Sequence, residues 1–410
     1  CRSGRPWQGW FDRFCNSMKT LRWLVLLPIG LVSLHLVGMS FAQSAGGLDD
    51  RVDIVLARLR AHAFHPVREG MTFDRALDKH GVANLADDGW RVRTLVVRDL
   101  VRMGPPAAPA LTRALGDPNP HVRQVSAMVL GVLRMAAAAA PLAGRLERDE
   151  DWVVRSQAAV ALGQIGDASL LPALKKGLAS DPSRDVQHQC ELAIYAVERG
   201  LRPSPELAAA YAALDESRFD QVRVGAPAPD FSLPDTDGRV WRLADFRGKS
   251  DVLLIWVFAD WCPVCHHEFH DLIALREEFA RQGVQVFTIE CHDTFPARVM
   301  VGRELEPHYW FSKSSFKKDY TGKIWWPHLV DRAGAVGATY GVQPMAFVVH
   351  SEWINRPATV IVDKDGIVRF AYAGTFWGDR PSIKETIDLL RSRRFEYTNP
   401  KRLPPPANAD

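Results

Sequence analysis

The sequence is poor in cysteine, with six in 410 residues, and has no excess of either charge: 51 lysines and arginines face 48 aspartates and glutamates, a formal net charge of +3. So few cysteines exclude a scaffold built on disulfides. The balanced charge, with no basic stripe, leaves nucleic-acid binding without support. Hydrophobic residues at 47% and charged residues at 24% are ordinary for a globular protein, and the length allows two or three domains.

One long apolar run lies near the start. "MKTLRWLVLLPIGLVSLHLVGMSFAQS" opens at Met18 with Lys19 and Arg22, continues apolar from Trp23 to Met39, and ends in the small residues Ser40 and Ala42. Those parts make a secretory signal peptide. Left uncleaved, the run 23–39 is nearly long enough to anchor the chain in a membrane. Residues 1–42 therefore read as an upstream segment and a signal peptide, and the protein as exported to the periplasm or another extracytoplasmic space. Of the cysteines, Cys190, Cys262, Cys265 and Cys291 follow the cleavage site. An oxidising compartment would oxidise an exposed Cys-x-x-Cys unless something kept it reduced.

Residues 87–200 repeat. Val92, Val122, Val154 and Val186 are spaced by 30, 32 and 32 residues, each with an aspartate five residues earlier (Asp87, Asp117, Asp149, Asp181) and an aliphatic residue eight later (Leu100, Leu130, Leu162, Ile194). Arg93, Arg123 and Arg155 follow the first three valines, and Gln187 the fourth. Apolar residues at helical spacing, with alanines and glycines that allow close approach, predict paired helices. The aspartates are expected to cap helix N-termini. Cys190 falls where the other copies carry Val96, Ser126 and Ala158, so it reads as a small packing residue. The array, taken as residues 48–200 with helices between Leu48 and Leu85 as its N-terminal cap, resembles HEAT-like repeats of the kind found in phycobilisome lyases. That resemblance implies an all-α solenoid that binds a protein partner.

A linker at 201–223 precedes a change in composition. "FSLPDTDGRVWRL" predicts a hairpin turning at Asp237-Gly238, and "DVLLIWVFAD" a strand buried on both faces. "CPVCHHEFHDLIALREEFARQG" predicts a helix with Phe269, Leu272, Ile273 and Phe279 on one side and Gly283 as C-cap. "VQVFTIEC" is a second buried strand, "ATVIVDKDGIVRFAYAG" a hairpin at Asp365-Gly366, and Ser382 to Glu385 a capping box opening a last helix. The domain is taken as 224–395, with a disordered tail at 396–410.

"VFADWCPVCHHEFH" carries Cys262-x-x-Cys265 followed at once by His266. Three chemistries share that spelling: a redox dithiol, a c-type haem attachment, and the start of a metal site through His266 and His270 at i, i+4. The pair lies where a buried strand ends and a helix begins. There the helix N-terminus favours a thiolate at Cys262, Pro263 suits N1, and Cys265 lies one turn on as a resolving thiol. Haem needs a helical cavity and a second axial ligand, and no second ligand pair is spaced for a metal. A dithiol is the reading, with neither cofactor nor metal. His266 is a candidate cation beside the thiols, and Cys291 reads as a core cysteine. Trp310, Trp325 and Trp326 belong to a long segment that either shapes substrate choice or packs beneath its own loop.

"VGAPAPDFSLPDTDG", "LADFRGK", "WCPVCHHE", "YGV" at 340–342 and "RPATVIVDKDG", in that order, resemble the redoxins. This thioredoxin-fold group spans extracytoplasmic thiol-disulfide oxidoreductases and the alkyl hydroperoxide reductase/thiol-specific antioxidant family. The resemblance implies a C-terminal α/β thioredoxin-like domain after the solenoid. It also implies a cis-proline at Pro357 facing the cysteines, Arg356 against the substrate, and Glu268 as a proton acceptor or packing aid. Two activities follow from it. In disulfide exchange Cys262 attacks and Cys265 resolves. In peroxide reduction Cys265 is peroxidatic and an arginine such as Arg356 activates it. The peroxidase pattern Pro-x-x-x-Thr/Ser-x-x-Cys is broken here by Phe258 and Cys262, which favours exchange with a protein disulfide or dithiol. A reading of another class is a scaffold that works through the repeats, with the redoxin domain as a redox sensor.

Overall fold

The computed structural model describes residues 47–64, 89–259, 262–304, 322–342, 344–346, 353–374 and 378–400. The signal segment, residues 65–88 of the expected helical cap, Asp87, Trp261, Trp310 and residues 401–410 lie outside the described residues.

The first part is a double layer of helices. Its elements are α1 (Leu48–Ala61), α2 (Gly89–Met103), α3 (Ala108–Ala114), α4 (Pro120–Val132), α5 (Ala139–Arg148), α6 (Trp152–Ile165), α7 (Leu171–Ser180) and α8 (Arg184–Glu198). Helices α2, α4, α6 and α8 pack side by side in one layer, and α1, α3, α5 and α7 form the other. Glycine sets the spacing of the first layer. A Cβ on Gly131 would lie 2.8 Å from the Ala161 Cα, and one on Gly163 2.9 Å from the Ala193 Cα, so no larger residue fits at either crossing.

The repeated aspartates are not the caps expected of them. The caps lie two residues later, at Asn119 and Asp151, whose side chains accept from His121 N and Val153 N, and at Ser183. Asp117, Asp149 and Asp181 instead accept from the backbone N–H of those cap residues. They also tie repeat to repeat. Arg123 donates Nε and Nη2 to Asp149 at 2.9 and 2.8 Å, and Arg155 donates the same pair to Asp181 at 2.8 and 3.1 Å. Each arginine also donates to the carbonyl of its own repeat's aspartate. A buried charge needs this full set of partners. Cys190 is fully buried under Gly177, and burial pushes its thiol up to about 12.

Residues 201–223 are packed. They form α9 (Glu206–Ala212) and bury Leu207, Tyr211, Leu214 and Phe219 in the same apolar cluster as the repeats. Ala333 and Ala338 from the second part join that cluster.

The second part contains β1 (Ser232–Pro234), β2 (Val240–Arg242), β3 (Val252–Trp256), α10 (Pro263–Ala274), α11 (Arg276–Gln282), β4 (Gln285–Glu290), α12 (Thr294–Met300), β5 (His328–Val330), α13 (Ala335–Thr339), β6 (Pro344–Ala346), β7 (Trp353–Asn355), β8 (Ala358–Val362), β9 (Val368–Ala373) and α14 (Ile383–Ser392). Five strands form the main sheet in the order β5-β4-β3-β8-β9, with β3 central and buried along its whole length. Strands β3, β4 and β5 run parallel, β8 runs antiparallel to β3, and β9 antiparallel to β8. The expected hairpins are present as β1–β2, with Gly238 at φ +85°, and β8–β9, with Gly366 at φ +82°. Both angles suit glycine alone. The single helix expected after the cysteines breaks at Leu275 into α10 and α11, and Gly283 closes the second in the left-handed conformation. The capping box at Ser382 and Glu385 forms.

Within residues 396–400, expected in the disordered tail, Tyr397 and Asn399 pack onto the fold. Tyr397 meets Tyr372 edge-on with ring centres 5.2 Å apart, and the buried Asn399 donates to Asp379 at 2.8 Å.

Candidate active site

Strand β3 delivers the chain through Val257 and Phe258 to Cys262, the N-cap of α10, with Pro263 at the first helical position. Both Cys262 and Cys265 are reduced and have no exposed surface, lying in an apolar cluster with Phe258, Ile354 and Ile383. Cys262 has the backbone N–H of Cys265 and the Arg380 charge on its side, but burial outweighs both. More groups that stabilise negative charge converge on Cys265. Phe258 N donates to its Sγ at 3.4 Å and Arg380 Nη2 at 3.2 Å.

The expected order of acidities is therefore reversed. Burial opposes ionisation of Cys265, but the Cys262 thiol donating to it, together with the Arg380 guanidinium, pulls it down to about 5. Cys262 moves the other way, first through burial and then through the neighbouring Cys265 sulfur. The resting pair is a Cys265 thiolate accepting from a Cys262 thiol.

Glu268, one turn beyond Cys265, is buried, and its Oε2 lies 2.9 Å from Arg380 Nη1. One guanidinium thus faces two acids. Burial, with the Cys265 charge adding to it, outweighs Arg380 and raises Glu268 to about 8. Glu268 therefore keeps its proton near neutral pH, and the thiolate carries the charge. Against burial, the same two acids hold Arg380 even more firmly in its cationic form.

Arg380, rather than Arg356, is the arginine on the sulfur, and it was missed in the sequence. It sits 115 residues after Cys265, in the loop before α14 and two residues ahead of that helix's cap. The only local signal is an arginine just before a Pro-Ser helix start after the last strand. Its neighbour Asp379 is fully buried and accepts from Tyr372 Oη at 2.5 Å and Asn399 Nδ2 at 2.8 Å, which fixes the loop. Arg356 is half-buried between β7 and β8. Pro357 is buried, accepts from Gly374 N at 2.8 Å, and follows a trans peptide bond, not the expected cis bond. Its ring also lies against Gly374, where a Cβ would come within 2.9 Å of the proline Cγ.

His266 is buried, His270 half-buried and His267 exposed. Among the described residues, no group of three histidine, cysteine or acidic side chains is placed to hold a metal ion. Trp325 and Trp326 pack under the active-site helix: Trp325 Nε1 donates to Leu272 O, and Trp326 meets Phe269 edge-on. Cys291 lies just past β4 and outside the pair's surroundings.

Residues 224–371 match the AhpC/TSA family, and residues 82–160 and 128–194 match HEAT repeats. A thiol-disulfide oxidoreductase ResA from Geobacillus thermodenitrificans is 30% identical over 170 residues, covering 42% of this chain and 79% of the relative. An alkyl hydroperoxide reductase E from Mycobacterium tuberculosis is 31% identical over 150 residues, covering 37% and 84%. Among solved structures, the peroxidoxin BcpB from M. tuberculosis covers 42% of this chain and 99% of its own, with 22% identity and a TM-score of 0.33. The family match and the two relatives agree: the chain belongs to the AhpC/TSA family of redoxin oxidoreductases, joined to N-terminal HEAT repeats.

Proposed function

We propose that this is an extracytoplasmic thiol-disulfide oxidoreductase cycling Cys262 and Cys265 between dithiol and disulfide, with the helical repeats holding a protein partner. The observation that carries the reading is the pair itself: a thiol at the helix tip donating to a thiolate one turn on, with Arg380 behind it. Cys265 takes the Cys262 proton as Cys262 attacks a partner disulfide. A mixed disulfide forms and the first partner sulfur leaves as thiolate, to be protonated. Cys265 then loses the proton again, readily because Arg380 favours its thiolate, and attacks Cys262 Sγ. The second partner thiol leaves, and the two electrons gained by the partner are those lost in closing Cys262–Cys265. Glu268, protonated near neutrality, is the nearby proton donor and acceptor. Pro357 and Arg356 are assigned to guiding the partner backbone. Cys265→Ser should trap a mixed disulfide through Cys262 that Cys262→Ser does not form. No adduct with any exported partner protein would defeat the proposal.

A second reading rests on the Arg380–Cys265 contact and the burial of both sulfurs, which suit a small oxidant. Here the Cys265 thiolate attacks a peroxide oxygen and becomes a sulfenate while an alcohol or water leaves. Cys262 then displaces water to close the same disulfide. Intact mass after brief peroxide separates the two readings: a Cys265 sulfenate in Cys262→Ser, formed far faster than with a free thiol, supports peroxide reduction.

A further inference from the structure

The chain leaves α14 at Arg393, whose left-handed φ of +56° turns it out of the helix and whose Nη1 pairs with the buried Asp251. The residues that follow form neither helix nor strand, but their burial alternates as a strand's does. Phe395, Tyr397 and Asn399 turn inward, while Glu396, Thr398 and Pro400 are exposed. This strap lies on the apolar cluster that holds both cysteines, with Tyr397 edge-on to Phe370 and Tyr372 of β9. Tyr397 Oη also reaches the Arg380 carbonyl at 3.5 Å. Further along, the strap meets the fully buried Asp379. One carboxyl oxygen there, Oδ1, accepts from both Asn399 Nδ2 and Tyr372 Oη. The Asp379 backbone in turn passes so close to the end of β9 that a Cβ on Gly374 would lie 2.1 Å from its carbonyl oxygen.

Asp379 immediately precedes Arg380, whose side chain is 2% exposed and touches both Cys265 and Glu268. A backbone shift of about 1 Å is enough to lose a contact to sulfur, and sites fail through looseness of that size in the groups behind them. We propose that the strap belongs to the active site: Asn399, seated by Tyr397, is a positioning residue that holds Arg380 on Cys265 through Asp379. The proposal rests on the dithiol reading of the site and serves a disulfide or a peroxide equally. Cys262 and Glu268, which also bear on that sulfur, are left as they are by the strap variants.

The test follows alkylation of Cys265 by iodoacetamide against pH in the reduced full chain, read by peptide mass. Asn399→Leu, close in size but without the donor, should raise the midpoint from near 5 by about one unit, which slows alkylation at pH 5 about fivefold. In an Arg380→Met background, where no guanidinium is left to position, the same change should move the midpoint no further. A merely structural role would weaken the fold against urea and leave the pH midpoint near 5. That result would overturn the proposal, as would an equal shift with and without Arg380. Should Asn399→Leu not fold, Tyr397→Ala, which loosens the strap and leaves both donors to Asp379 in place, decides by the same comparison. If Arg380→Met itself leaves the midpoint unmoved, the proposal falls with the Arg380 contact. Partner trapping by Cys265→Ser is a separate readout and stands or falls by itself.

Discussion

Cys265, Arg380 and Glu268 behave as one titrating group of three, because a single guanidinium serves both acids. Removing the cation should show most clearly at the sulfur. Alkylation of Cys265 should follow a midpoint near 5 in the parent, and Arg380→Met should carry it up toward an ordinary thiol, a rise of two units or more on the order seen for buried thiols. An unchanged midpoint would remove Arg380 from the site. The two acids also pull stability in opposite directions between about pH 5 and 8. Folded Cys265 has released a proton that the unfolded thiol keeps, so its contribution is full above the unfolded pKa and fades as pH falls toward 5. Folded Glu268 keeps a proton that the unfolded chain has lost, so its contribution is full at low pH and fades as pH rises toward 8. In the reduced parent these slopes oppose each other. Glu268→Gln removes the falling one, so urea denaturation should show stability rising more steeply between about pH 5.5 and 7.5 in that variant than in the parent. The same profile in variant and parent would mean that Glu268 does not hold its proton in the folded state.

At the level of elements, what could be read from the sequence was whatever depended on neighbours in the chain. The β1–β2 and β8–β9 turns, the buried β3 and the Ser382 capping box all declare themselves through a few adjacent residues. The 32-residue step of the repeats was equally visible, but the job of its aspartates was not. Capping and clasping use the same carboxylate, and only the position of the neighbouring repeat distinguishes them. The same limit hid Arg380, brought to Cys265 by a strand, a braced loop and no local pattern. The clasps are open to test. Arg155→Met leaves Asp181, whose side chain is 5% exposed, without its bidentate partner, and should cost about 3–5 kcal/mol. Arg60→Met, at a pair whose arginine is a third exposed, should cost less, about 1 kcal/mol. Equal losses in chemical denaturation would show that the buried clasps are not special.

For the whole molecule, the repeats and the redoxin part do not behave as beads on a string. Ala333 and Ala338 lie in the repeat core, Tyr195 stacks near Phe295 at 5.7 Å, and the backbone of Asp220 and Gln221 donates to Ala338 and Thr339. Heating should therefore give one transition, with helix loss by far-ultraviolet dichroism coinciding with tryptophan fluorescence change. Two separated transitions would contradict a shared core. The layer of α2, α4, α6 and α8 meets α9 and, through Tyr195 and Phe295, α12. If the repeats hold a protein partner as proposed, the layer of α1, α3, α5 and α7 is the face it would use.

The clasps step 26 residues, from Arg123 to Asp149 and from Arg155 to Asp181. The fourth copy carries Gln187, which donates only to the carbonyl of its own Asp181, and the same step from it lands on Ala213. The array thus carries its own terminator. A duplicated module spliced in after Arg155 would arrive with a socket on one side and a plug on the other, and the row would lengthen. One added after Gln187 would find nothing to latch onto, and at that point the chain turns aside to build a sheet.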